Sequence, residues 1–406
     1  MDKKKVLEIE ISSSNENILY GCASLELPAT VWELKDALDR ARIKDENTPY
    51  SIEVLNAHYE YLSEIIPEKA NLYELNRLVE RISDMGEIEH GVLTAFEALV
   101  KMDERDKVPH TIDRLIALAE STNDVLVAPA GSDRELGDFV VENEMDERLS
   151  SMDDNILSLI DREKIGKEYR ESEGGIFLHG MYAVNNGSIK DSPIFKQQEQ
   201  PLGTVLLKIS KGYFNDPAYD NDLTATLTLP AAAYQLDEAI IAVGASSAEE
   251  CSFTAVDCIV PELTEIISDE LYATEGDCYG LASELAKSLE ELNTQGKLPL
   301  YKAMLDGVSE EITLEDALDL SYQTEGFSLS TELMSSADYA KLQLEKSNAP
   351  MVDTLLKMTD LYCYGKALMA ENHVLETPYG LLNCENGQTL EQCLSREMPS
   401  IGMEMK

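Results

Sequence analysis

Carboxylates are the residues with which this chain could do chemistry, and they come in runs of one sign. Glu311, Glu315 and Asp319 fall at i, i+4 and i+8 with Asp316 beside them, a spacing that on a helix makes one negative stripe with charges about 6 Å apart. Like charges at that spacing disfavour a helix by roughly a few tenths of a kcal/mol per pair, yet no lysine interrupts the row. A second cluster holds Asp133, Glu135, Asp138, Glu142, Glu144, Asp146 and Glu147, with only Arg134 and Arg148 nearby, and Asp153 and Asp154 follow it. A third holds Glu262, Glu265, Asp269 and Glu270, and shorter sets sit at Glu33, Asp36 and Asp39 and at Asp237 and Glu238.

Such groups can catalyse, bind metal or present a field. Paired carboxylates serve acid–base chemistry, but 77 Asp and Glu residues make chance pairs common and select none of them. The loop Asp216–Asp222 gathers acids but lacks the glycine and the terminal glutamate of a calcium-binding loop. Phosphate-binding glycine motifs, the GxSxG elbow and HExxH are absent. His58, His90, His110, His179 and His373 show no recurring spacing, and the seven cysteines are odd in number and form no CxxC pair. Reduced thiols are expected. A non-enzymatic chain without cofactor or metal is the reading these residues favour, and a hydrolase using a carboxylate-bound metal is the weaker alternative.

The field is the stronger signal. The net charge is −44, and it is spread: 42 acidic against 22 basic residues precede Gly203 and 35 against 11 follow, leaving −20 and −24. Self-repulsion on that scale is a cost to any compact state. Duplex DNA carries one charge per about 1.7 Å of axis, so −44 matches the bare charge of roughly 75 Å of duplex. Ordered carboxylates at this density could occupy the basic groove of a DNA-binding protein without binding nucleic acid themselves. Neither the Met-Asp-Lys-Lys-Lys start nor any later stretch carries an uninterrupted apolar run of membrane-spanning length, so a cytoplasmic location in a bacterial host, with no membrane partner, is expected.

The elements that would hold these charges come in two sets. Residues 25–38 and 227–240 align at an offset of 202 through Leu25/Leu227, Leu27/Leu229, Pro28/Pro230, Ala29/Ala231, Trp32/Tyr234, Leu34/Leu236, Asp36/Glu238 and Ala37/Ala239. Each copy reads as a strand, a proline that ends it and pre-sets the first helical turn, and an amphipathic acidic helix. In the first copy that helix should bury Val31, Leu34, Leu38 and Ala41 and turn Glu33, Asp36 and Asp39 outward. Hairpin-like strand pairs are predicted at Lys5–Ile11 with Leu19–Leu27 and at Gly203–Ser210 with Leu223–Leu229. Further matches pair Leu62–Ile66 with Leu263–Ile267, Leu72–Ile82 with Tyr279–Leu289, and Thr111–Leu118 with Thr313–Leu320. The division is therefore a first unit over 1–184, of several small subdomains, a polar linker over 185–202 and a second unit over 203–406.

The Leu-Pro-Ala turn into an acidic helix, the segment Asn71-Leu-Tyr-Glu-Leu-Asn-Arg-Leu78, and the Gly166-Lys167 and Tyr364-Gly365-Lys366 signatures ahead of glycine-bearing strands resemble the ArdA-type antirestriction proteins. The resemblance implies an elongated α+β chain of small domains, here two tandem ArdA-like repeats, that mimics bent B-form DNA and blocks type I restriction–modification enzymes. Members are usually shorter and dimerise, so this chain would be a monomeric pseudo-dimer or a homodimer. Gly137–Asp154 is the nearest counterpart of the family's acidic antirestriction segment. Asn76-Arg77-Leu78 has become Ala282-Ser283-Glu284 in the second copy, so the halves are expected to contact different surfaces. A CRISPR effector, a repressor or a nucleoid protein is the alternative target for the same mimicry.

Overall fold

A computed structural model describes residues 4–13, 21–43, 48–88, 90–150, 152, 154–157, 159–190, 203–212, 223–272, 278–309, 311–332, 335–347, 351–385 and 389–394. The fold is α+β. In the first half of the chain, strands β1 (Leu7–Ser13) and β2 (Cys22–Leu27) precede helix α1 (Val31–Arg40), strand β3 (Tyr50–Ala57) and helices α2 (Tyr61–Ile65), α3 (Leu72–Ile88), α4 (His90–Asp106) and α5 (Ile112–Glu120). Then come β4 (Val125–Ala128), α6 (Asp133–Glu142), the single turns α7 (Glu147–Ser150) and α8 (Asp154–Leu157), α9 (Arg162–Glu173), β5 (Ile176–Leu178) and β6 (Met181–Asn185).

The second half runs β7 (Val205–Lys211), β8 (Thr224–Leu229), α10 (Ala233–Ala242), β9 (Cys251–Cys258), α11 (Leu263–Tyr272), α12 (Cys278–Thr294), α13 (Leu298–Asp306) and α14 (Leu314–Tyr322). It closes with β10 (Phe327–Ser330), α15 (Ser336–Lys346), α16 (Val352–Met358), α17 (Leu361–Glu371), β11 (Val374–Thr377) and β12 (Gly380–Cys384).

Antiparallel three-stranded sheets recur with one topology. The order β2-β1-β3 is matched by β8-β7-β9, and β4-β6-β5 by β10-β12-β11. The correspondence extends to register: β1 opposes β3 with a shift between Glu8 and Ile9, and β7 opposes β9 with a shift between Leu206 and Leu207. Alternation explains the strands, since Leu7, Ile9 and Ile11 point into one core and Val205, Leu207 and Ile209 into another. Within each half, one large core covers the first sheet and its helices, and a smaller cluster serves the second sheet.

Several expectations are corrected. Helix α1 starts three residues beyond Pro28, behind Thr30 as N-cap, so the proline shapes the preceding turn and does not open the helix. Trp32, Leu34, Asp36, Ala37 and Ala41 are its buried positions, while Val31 and Leu38 are half-buried. The short strands that Ser51–Val54 and Ser252–Val256 suggest lengthen into the edge strands β3 and β9, and α4 and α13 lie where the sequence pattern predicts no element. The linker does not begin at Asn185, because Ile189 packs on the first core and the Lys190 amide donates to Ser121 Oγ (2.9 Å); residues 191–202 lie outside the described set, as do Leu19, Tyr20 and the loop Asp216–Asp222.

The glycine–lysine signatures have a packing cause. Helices α6 and α9 cross so closely that a Cβ on Gly137 would lie 1.8 Å from the Arg162 carbonyl oxygen, and one on Gly166 1.8 Å from that of Asp133. In the second half Gly365 meets the Ser336 carbonyl at the same 1.8 Å, with fully buried Ala340 on the facing helix. Backbone contact leaves no room for a methyl. Gly166→Ala should therefore cost about 3 kcal/mol, seen as a lower denaturant midpoint for the segment around β4–β6, whereas Gly174→Asn, at a left-handed helix end with open space around it, should change stability by less than about 1 kcal/mol.

Candidate functional site

Helix α1 turns Asp36 away from solvent, while Glu33 and Asp39 stay partly exposed. It lies against the second half of the chain, with Trp32 in the core formed by β7, β9, α12 and α13. Thr30 Oγ1 accepts the Glu33 amide as a cap and donates to Asp257 Oδ1 on β9 (2.7 Å). One turn further, Asp36 receives Lys302 Nζ from α13 (2.6 Å), the Tyr379 hydroxyl from the β11–β12 turn (2.8 Å) and Arg40 Nε (2.9 Å). Asp39 lies 3.7 Å from the same lysine, and Arg42 donates to the Pro378 carbonyl (3.3 Å). Lys302 is 3% exposed and Asp36 8%, so this is an ion pair removed from water.

The electrostatics follow from that burial. Burial alone would raise the Asp36 carboxyl, but Lys302 and then Arg40 outweigh it and hold the group below the usual carboxylate range. Asp39 is raised by burial, which Lys302 and Lys35 only partly offset. Burial pushes Asp257 up to about 6 against the hydrogen bonds from Thr30 and the Trp32 and Cys258 amides, and it pushes Glu262 up to about 7, with Asp306 and Asp36 adding repulsion. Glu262 keeps an exposed flank, where solvent screens part of its effect. Asp257 is wholly inside and sets the pH dependence.

Correction is therefore needed for several predicted surface charges. Asp36 is buried in the seam, and Glu33 spends its carboxylate on the Thr30 amide (2.7 Å). Asp316 is the buried N3 member of the capping box of α14, bonded to the Thr313 amide (3.0 Å). Because that helix begins at Leu314, Glu311 precedes it and the three-residue stripe shortens to exposed Glu315 and half-buried Asp319. In the second cluster Asp133 takes Arg170 bidentately (2.7 and 3.1 Å), Asp146 takes Arg148 (2.7 Å), and Arg162 approaches Asp138 (3.7 Å). Glu135 accepts the Gly131 amide (2.7 Å). Asp153 and the side chains of Glu147 and Asp154 fall outside the described residues.

What remains is still substantial. Glu142, Glu144, Asp237, Glu238, Glu265 and Asp269, with Glu315, stand exposed and make no ion pair among the described residues, and Glu270 is half-buried. They sit on or at the ends of α6, α10, α11 and α14, whose apolar faces are fixed in the cores. Among the described residues no group of three or more His, Cys, Asp or Glu is arranged to hold a metal ion. Sequence reading missed Lys302, Tyr379 and Asp257. The available signal was Lys302 itself, a lone cation inside the apolar run Leu298–Leu305, since lysine is rarely buried unless paired.

No protein-family model matches the sequence, and no curated protein is significantly similar to it.

Breaking the buried pair from one side leaves a desolvated charge, so Lys302→Met should cost about 3–5 kcal/mol in denaturant unfolding, and Lys302→Met with Asp36→Leu should recover a large part of that loss. For pH, Asp257, raised to about 6, takes up a proton on folding. Its contribution is fully present below its unfolded value and is lost as pH rises through about 6. Asp36, depressed, contributes above the ordinary carboxylate range and loses that contribution in acid. Stability should fall between pH 5 and pH 8, and Asp257→Asn should flatten that slope.

Proposed function

We propose that this chain is a non-enzymatic inhibitor that acts as a DNA mimic, occupying the DNA-binding groove of a defence enzyme. The reading rests on one observation: a net charge of −44 whose exposed members, Glu142, Glu144, Asp237, Glu238, Glu265, Asp269 and Glu315, are mounted on packed helices. Charges on a fixed backbone cost less ordering entropy on binding than a flexible acidic tail. Lysines and arginines arranged for phosphates would meet carboxylates at comparable density. The ArdA-like motifs make a type I restriction–modification enzyme the first target to test, with the two halves as tandem units of one elongated surface. Glu33, Asp36 and Asp316 are not part of that surface, because capping and the seam already use them.

Binding to a purified type I enzyme should be displaced by duplex DNA and should weaken steeply with salt. Replacing Glu265, Asp269 and Glu315 with Gln, Asn and Gln should weaken it about tenfold at low ionic strength, with little change at high salt. An enzyme that restricts and methylates normally at saturating protein removes this target. Unchanged affinity in the triple variant removes the acidic surface as the contact.

A further inference from the structure

The seam is used once, although the chain carries both of its halves twice. Helix α10 corresponds to α1, with Tyr234 at the position of Trp32 and Ile241 at that of Asp39. Trp32 is 6% exposed, while Tyr234 is 64% and Ile241 71% exposed. The receiving face shows the same contrast. The pairing of Leu206 with Asp257 on β9 corresponds to that of Glu8 with Asn56 on β3. Asp257, Cys258 and Ile259 are buried beneath or beside α1, whereas Asn56 and His58 are exposed and Leu55, on the bulge, is 49% exposed. Beside Asn56 opens a groove of about 330 Å³ lined by Lys5, Val6, Leu7, Glu8, Glu26, Asn56, Ala57 and His58. Leu7, Ala57 and His58 correspond in register to Val205, Cys258 and Ile259, which share a core with Trp32.

We propose that α10 of one molecule docks on the β3 face of a second copy of this chain, repeating between molecules the contact that α1 makes on β9 within one. Tyr234 enters the groove beside Asn56, and Ile241 and Leu55 lose their solvent exposure. The turn that presents Tyr379 to Asp36 corresponds to His179–Gly180 in the first half, with Gly180 at the position of Tyr379 and His179 beside it, 3.0 Å from Glu97. One donor helix and one acceptor face per chain make the contact heterologous, so it closes into a ring or extends head to tail. The contact does not rest on the DNA-mimic reading, but it draws in Glu238 of α10, which that reading counts among the exposed charges, and the two have opposite salt responses. Screening strengthens the approach of two acidic chains, while it weakens capture by a basic groove.

The test is sedimentation velocity on the full chain with Ile241→Asp and Leu55→Lys, both at exposed sites and each checked for native circular dichroism. Wild type should grow beyond its monomer mass of 45.1 kDa at about 100 μM, more so as salt is raised. Each variant alone should remain a monomer, having lost the donor or the acceptor. An equimolar mixture should form a 1:1 dimer and nothing larger, because the intact α10 of the Leu55→Lys chain meets the intact β3 face of the Ile241→Asp chain. Wild type that stays monomeric, a single variant that still associates, or a mixture that fails to pair would each overturn the proposal.

Discussion

The structure turns on the carboxylate of Asp36 and the ammonium of Lys302. Separated by 2.6 Å and both withdrawn from water, they join elements 266 residues apart. Neither could be buried alone, since an unpaired charge in that position would be displaced or neutralised. Tyr379 and Arg40 satisfy the remaining capacity of the carboxylate, which is the condition for such a pair to be tolerated. A well-packed hydrophobic pair can give equal stability. What the ionic one adds is a constraint on position, because Asp36 accepts all three partners only when α1, α13 and the β11–β12 turn meet in one arrangement.

That arrangement explains why two sets of similar elements have drifted apart. Where the first half needs Trp32, Asp36 and Arg40 to dock, the second has Tyr234, Glu238 and Ala242, free of that duty and exposed. Asn76 clamps both the amide and the carbonyl of Ala29 (2.7 and 3.0 Å) and so fixes the turn that feeds α1. Its counterpart Ala282 is simply a core residue. The asymmetry belongs to the seam and its approaches, while the sheets retain common topology and register.

Much of the fold was legible because periodicity states it. Alternating leucines and isoleucines marked the strands, and the Leu-Pro-Ala echo located the helices that follow. The partners of α1 were not legible, because a helical pattern shows that Asp36 shares a face with other acids but not that a lysine from a distant helix lies above it. Capping hides in the same way. Glu33 and Asp316 look like surface charges by type, and only the start of the helix reveals them as N3 residues. Helical spacing states the exposure of Glu265 and Asp269, but it does not state that Arg170 from another helix reaches Asp133.

Trp32 is the single tryptophan of the chain and lies in the seam, so its fluorescence reports the docking of α1 directly. The native protein should show blue-shifted emission that acrylamide quenches poorly, and Lys302→Met should move the emission to the red and open it to quencher before the far-ultraviolet circular dichroism changes. Solvent-like, freely quenched emission from the native chain would contradict the docked helix and the buried pair that holds it.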